Sequence, residues 1–152
     1  MFFDNQYQIS YVTPDLRKAT GLMEARFGVE FKDLSGQELV RNTVWTPEGD
    51  ADIEMRLGIA ILGHLTIELL EPVSGATKIF TDMIEPGRLV KLHHFGMRCR
   101  DLEAMRRENE KIGRKVVMEG GFKTVRFMYV DARADLGHFM EYSTAPPGFW
   151  DR

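Results

Sequence analysis

Apolar and polar positions alternate with a period of two through most of this chain, the signature of half-buried strands. Twice the alternation gives way to a helix-compatible stretch. In QISYVTPDL (8–16) and HFGMRCRDL (94–102) the same outline recurs, with an Asp-Leu pair at identical spacing. RKATGLMEARF follows the first and EAMRRENEKI the second, and each stretch closes on a glycine, Gly28 or Gly113. Asp15 and Asp101 are therefore predicted helix N-caps, and the two glycines predicted left-handed C-terminal caps. Strand-like runs follow both: VEFK, ADIEMRLGIAILG and HLTIELLEP in the first copy, RKVVM, TVRFMYVDA and LGHFMEYS in the second.

Each copy thus reads β-α-β-β-β. Neither small sheet buries its face alone, so the pattern predicts an α+β fold in which two βαβββ modules form curved sheets around a shared cavity. A split α+β sandwich without a cavity is the alternative. The expected organisation is one domain over 1–152, with module one about 5–72, a connector 73–90, module two about 91–144 and a tail 145–152. The connector holds a short helix candidate, ATKIFTDMI, closed by Pro86-Gly87. The aromatic residues of the tail, APPGFWDR, are expected to cover the domain or a subunit contact.

Strand parity sorts the side chains into two faces. Ile9 and Tyr11, Ile67 and Leu69, Phe95 with Met97 and Cys99, and Met140 with Tyr142 make apolar faces suited to packing on the helices. The opposite faces carry Gln8, Glu68, His94 and Glu141, one from the first and last strand of each copy. Gln8 matches His94 across the repeat, and Glu68 matches Glu141. Oxygen and nitrogen donors at symmetry-related positions suit a divalent metal held between two sheets. The competing reading is ordinary polar-out alternation with both glutamates solvated. In the metal reading His94 is the ligand, and parity turns its neighbour His93 to the other face. His64 and His138 are expected to be structural or solvent-exposed.

Composition narrows the partners. The 152 residues are 43% hydrophobic and 28% charged, with a formal net charge of −3 and no basic block, which gives no electrostatic footprint for nucleic acid or an anionic membrane. A small-molecule partner is expected. No apolar run approaches a membrane span, and the opening MFFDNQYQ lacks the outline of a leader. The single cysteine, Cys99, precludes an internal disulfide and fits a reducing, cytoplasmic location. It shares the apolar face of Phe95 and Met97, as an inert core thiol would.

With QISYVTPDL, LTIELLEP, LHHFGMRCRDL and LGHFMEYS in view, the chain resembles the vicinal oxygen chelate superfamily (glyoxalase, bleomycin resistance, dioxygenase) over nearly its whole length. LTIELLEP followed by LHHFGM is most similar to methylmalonyl-CoA epimerases, and other glyoxalase-like proteins share the outline. The resemblance implies that Gln8, Glu68, His94 and Glu141 bind a divalent ion, whether Zn, Mn, Co, Ni or Mg. Gln8 departs from the histidine usual in such epimerases. Val12 and Pro72 replace the arginine and asparagine that hold glutathione in glyoxalase I, and Gln8 removes a histidine that an iron dioxygenase needs.

The implied activity is isomerase, epimerase or lyase chemistry that abstracts a proton next to a carbonyl of an acyl-CoA or an oxo acid. The resemblance makes Glu141 the first choice of base, Glu68 its counterpart on the other face and Glu48 in TPEGD a third candidate. Arg98 and Arg126 are candidate binders of a substrate carboxylate or phosphate, against the plainer reading of snorkelling surface arginines. A homodimer is implied by analogy with the superfamily. A metal-free binding or drug-sequestering protein of the bleomycin-resistance type is the alternative function.

Overall fold

The computed structural model describes residues 1–32 and 39–149. The first copy supplies β1 (Gln6–Val12), α1 (Leu16–Phe27), β2 (Val40–Thr46), β3 (Gly49–Leu62) and β4 (Leu65–Gly75). A connector helix, α2 (Lys78–Thr81), leads to β5 (Lys91–Arg98), α3 (Leu102–Lys111), β6 (Val116–Phe122), β7 (Val125–Ala132), α4 (Arg133–Leu136) and β8 (His138–Thr144). The eight strands close into a barrel in the order β1-β4-β3-β2-β6-β7-β8-β5. Two curved half-sheets therefore share one interior, and the sandwich alternative is excluded.

The helices start where the aspartates predict. The Asp15 side chain accepts from the Lys18 amide at 3.1 Å, and Asp101 from the Ala104 amide at 3.1 Å. Each such cap contributes about 1 kcal/mol. α1 ends at Gly28 with φ 66°, while α3 ends at Lys111 with Gly113 at φ 78° just beyond. Outside the barrel, α1 packs Leu16, Ala19 and Met23 against Leu69 and Ala60, with Tyr11 and Ile67 beside them. Met97, Met128, Met140 and Tyr142 form the second outer layer, against which Leu102 and Met105 of α3 pack.

Inside lies a third cluster, built from Val12, Val44, Ile53, Leu70, Met118, Tyr129 and Phe139. Phe80 and Met83, from α2 and the turn after it, belong to the same interior cluster. The connector thereby plugs the barrel as well as joining its halves.

One strand sits elsewhere than expected. VEFK forms only an isolated bridge, Lys32 to Ile59, and the second strand of the first copy is VRNTVWT at 40–46. Its alternation is mostly polar, with Val44 its one buried residue, so the apolar signal was weak. In the tail, Phe149 is partly exposed, and Trp150 lies outside the described residues.

Candidate functional site

Four neighbouring strands, in the order β4-β1-β5-β8, carry Glu68, Gln8, His94 and Glu141. Register draws them together. Ser10 lies beside both Glu68 and His94, and Gly96 lies between Gln8 and Glu141. His94 Nε2 stands 3.3 Å from Glu141 Oε2 and 3.8 Å from Glu68 Oε1. Gly96 is what lets Gln8 come so close: a Cβ there would stand 3.0 Å from Gln8 Cβ and 3.1 Å from Gln8 Oε1.

Two atoms of the set are buried without a hydrogen-bond partner among the described residues, Gln8 Oε1 and His94 Nε2. Leaving buried polar atoms unmatched costs about 1–3 kcal/mol each, so their presence asks for an occupant. Donors about 2.1 Å from a common ion lie roughly 3.0–3.4 Å apart, a range that His94 and Glu141 meet at 3.3 Å and that Glu68, at 3.8 Å from His94, stands just outside. Amide oxygen, imidazole nitrogen and two carboxylates are a chemically sound donor set for a divalent cation. Among the described residues no three His, Cys, Asp or Glu side chains form a ready-made cage. Part of the carboxylate capacity is taken up by hydroxyl donors, and one of the four donors is an amide.

Those hydroxyls treat the two glutamates differently. Glu141 Oε1 accepts from Ser143 Oγ at 2.8 Å and from the Tyr7 hydroxyl at 3.2 Å, and Tyr129, its register neighbour on β7, also hydrogen-bonds to Glu141. Burial alone would raise the pKa of Glu141, but His94 and the Tyr129 and Ser143 hydroxyls outweigh it and bring it down to about 2. Glu68 accepts from Ser10 Oγ at 2.8 Å and keeps 12% of its side chain exposed. Burial, opposed by His94 and reinforced by the Glu141 charge, pushes Glu68 up to about 7. The Tyr7 and Tyr129 hydroxyls are raised well above their ordinary range, first by burial and then by the Glu141 charge, so both stay protonated donors.

Tyr7 and His93 reach the interior against the alternation rule. The β1–β5 register steps from Gln6–Met97 to Gln8–Gly96 and from Ser10–His94 to Tyr11–Leu92. Each step leaves one extra residue, Tyr7 on β1 and His93 on β5, and such bulges re-aim a side chain. The expectation that His93 turns to the other face is corrected accordingly. His93 is fully buried, stacked between Phe80 and Phe139 with ring centroids 4.7 and 4.8 Å away. Its Nδ1 lies 2.9 Å from His94 Nδ1, and its Nε2 lies 2.9 Å from the Ile79 carbonyl oxygen. Burial, together with the nearby His94, holds its pKa well below the usual histidine range.

The remaining sequence candidates lie farther out. Arg98 has its guanidinium carbon 5.3 Å from the Tyr7 ring centroid and borders a cavity of about 660 Å³ that includes none of the four donors. Arg126 is exposed: alternation along β7 sets it with outward Met128 and Val130, opposite Phe127 and Tyr129. Glu48 is exposed at the β2–β3 turn and His64 at the β3–β4 turn, while His138 packs edge-on against Phe95. Tyr129 could have been found from sequence, since it shares the inward parity of Phe127. Tyr7 could not, because a bulge leaves no mark in a polar-apolar pattern.

Residues 7–129 match the family model described as the Glyoxalase/Bleomycin resistance protein/Dioxygenase superfamily. The chain belongs to this superfamily. As a member it shares its fold with methylmalonyl-CoA epimerase from Mycobacterium tuberculosis, at a TM-score of 0.62 and 15% identity over 94% of this chain and 89% of that one. A Streptomyces coelicolor methylmalonyl-CoA epimerase variant in complex with 2-nitronate-propionyl-CoA gives 0.65 and 16%, covering 94% and 95%. A hypothetical protein from Bacillus halodurans gives 0.61 and 14%, covering 92% and 93%. At such identities the likeness is one of fold. No curated protein matches the chain. Among the described residues no helix is long and apolar enough to cross a membrane.

Proposed function

We propose that this superfamily member is a divalent-metal-dependent isomerase or epimerase that moves a proton at the carbon beside a carbonyl, with an acyl-CoA or oxo acid as substrate. The observation that carries the reading is the convergence of two unpartnered buried atoms, Gln8 Oε1 and His94 Nε2, on the carboxylates of Glu68 and Glu141. The fold likeness to a methylmalonyl-CoA epimerase in complex with 2-nitronate-propionyl-CoA supports the substrate class.

In this reading Gln8, Glu68, His94 and Glu141 hold the ion. A bound divalent ion supplies Lewis-acid stabilisation of negative charge at a carbonyl oxygen. Glu68 and Glu141 offset the ion's charge, and buried Tyr7 and Tyr129 exclude water around them. Burial of Glu68 and the hydrogen bonds to Glu141 set the order of basicity. Glu141, the first choice by resemblance, is tied down by three hydroxyl donors and is the weaker base of the two. Glu68, with Ser10 Oγ as its hydroxyl donor, takes the proton at a carboxylate oxygen and returns it. Glu141 serves the opposite face of the same carbon, which an epimerase must also reach.

Metal analysis of protein purified without a tag or chelator tests the proposal, together with solvent deuterium exchange into acyl-CoA and oxo-acid substrates. Near-stoichiometric divalent metal, absent from His94→Ala and Glu141→Ala, and metal-dependent exchange are expected. Failure to take up Zn, Mn, Co or Ni on reconstitution would overturn it.

A further inference from the structure

The ligand set is linked to the connector helix through a pair of imidazoles. A carbonyl oxygen only accepts, so the 2.9 Å contact to Ile79 O requires a proton on His93 Nε2. His93 has no exposure, its faces are stacked between Phe80 and Phe139, its two nitrogens meet Ile79 O and His94 Nδ1, and among the described residues no ion pair reaches it, so the ring is the neutral Nε2–H tautomer. Its Nδ1 is then a bare lone pair. Two ring nitrogens at 2.9 Å attract only if one carries hydrogen, so His94 Nδ1 is the donor to His93 Nδ1. What remains on His94 is Nε2, which faces Glu141 Oε2 at 3.3 Å and Glu68 Oε1 at 3.8 Å and is the one ring nitrogen left for a metal ion.

From this chain of contacts we infer that His93 is a positioning residue: it relays the fixed polarity of the Ile79 carbonyl to His94 and so presents His94 Nε2 as the metal-binding lone pair. The metal consequence rests on the proposed function; the proton positions do not. Ligating histidines ordinarily donate their second nitrogen to a carboxylate, carbonyl or water. Here a second histidine takes that part, delivered by the bulge that turns His93 inward. A backbone carbonyl of α2 thus bears on a ligand two bonds of the network away.

Long-range ¹⁵N–¹H NMR of the histidine rings in metal-free protein reads the relay directly. Expected are a protonated Nε2 and bare Nδ1 on His93, with a protonated Nδ1 on His94; a protonated His93 Nδ1 facing a bare His94 Nδ1 overturns the inference. Two variants separate relay from packing. His93→Phe keeps the ring stack but removes the acceptor, and zinc affinity should fall about 10–100-fold. His93→Asn packs worse yet restores an acceptor near the Nδ1 position, and should bind zinc more tightly than His93→Phe despite lower stability. Equal zinc affinity in wild type and both variants overturns the relay. If His93→Phe does not fold, the wild-type spectrum alone decides. Wild-type protein that binds no zinc, with the expected spectrum intact, defeats the proposed function and leaves the proton assignment standing.

Discussion

The Tyr7 hydroxyl lies 3.2 Å from Glu141 Oε1 although the two residues are 134 positions apart, so the first and last strands of the barrel meet on one carboxylate oxygen. Ser143 Oγ shares that oxygen and also accepts from Tyr7 at 3.1 Å. The three groups form a small closed triangle around the best-anchored of the four proposed ligands.

Replacing Tyr7 by Phe removes one donor to a buried carboxylate while keeping the ring. Unfolding free energy should drop by about 1–2 kcal/mol, read by urea denaturation of the metal-free protein. Unchanged stability would mean that the hydroxyl contributes nothing to holding Glu141.

The two glutamates should respond differently to the same change. Glu68→Gln is expected to retain measurable metal and lose proton exchange by about 10²–10⁴-fold, the usual contribution of a general base. Glu141→Gln, which removes the anchored ligand, should lose metal first. Deuterium exchange measured beside metal content decides the order, and equal metal loss in both would argue against separate roles.

Gly96 is a spacing requirement. In Gly96→Ala the new methyl would meet Gln8 Oε1 at 3.1 Å and the Tyr7 ring at 3.3 Å. The strand conformation tolerates alanine, so a cost of about 1–3 kcal/mol from overpacking and a weakened metal affinity are expected in a folded protein. Wild-type metal binding by this variant would show that Gln8 does not need its observed place.

Cys99 offers a check by reactivity. Burial, with the Asp101 charge adding to it, pushes the thiol up to about 11. Alkylation by iodoacetamide at pH 8 should run about 100-fold slower than for an unperturbed thiol and climb until roughly pH 11, because the thiolate is the reacting form. A fast reaction at pH 8 would remove Cys99 from the list of inert residues.

What the sequence disclosed, it disclosed through local chemistry. Asp15, Asp101, Gly28 and Gly113 each carry their own physical reason to start or stop a helix, and period-two alternation sufficed to put Gln8, Glu68, His94 and Glu141 on one side of their strands. Alternation was blind wherever pairing slipped. Tyr7 and His93 enter the interior because β1 and β5 each insert one residue, a fact of register between strands more than eighty positions apart. β7 shows a related limit: one of its faces is lined by Phe127 and Tyr129 and the other by Met128 and Val130, with Arg126 on the latter. Both faces are apolar, so hydrophobicity alone could not say which was inside.

The two seams of the barrel are not alike. Between β1 and β5 pairing runs from Gln6–Met97 to Val12–Lys91, and the polar set is laid across that seam. On the far side, the register pair that joins β2 to β6 is Trp45–Glu119, helped by Asn42 Nδ2 donating to Gly121 O at 2.9 Å and by Arg106, whose guanidinium carbon stands 5.8 Å from the Trp45 ring centroid. A zipped spine faces a latched edge. The two halves are therefore bound like the covers of a book, and among the described residues the edge opposite the spine is the side where parting them would break the fewest strand pairings.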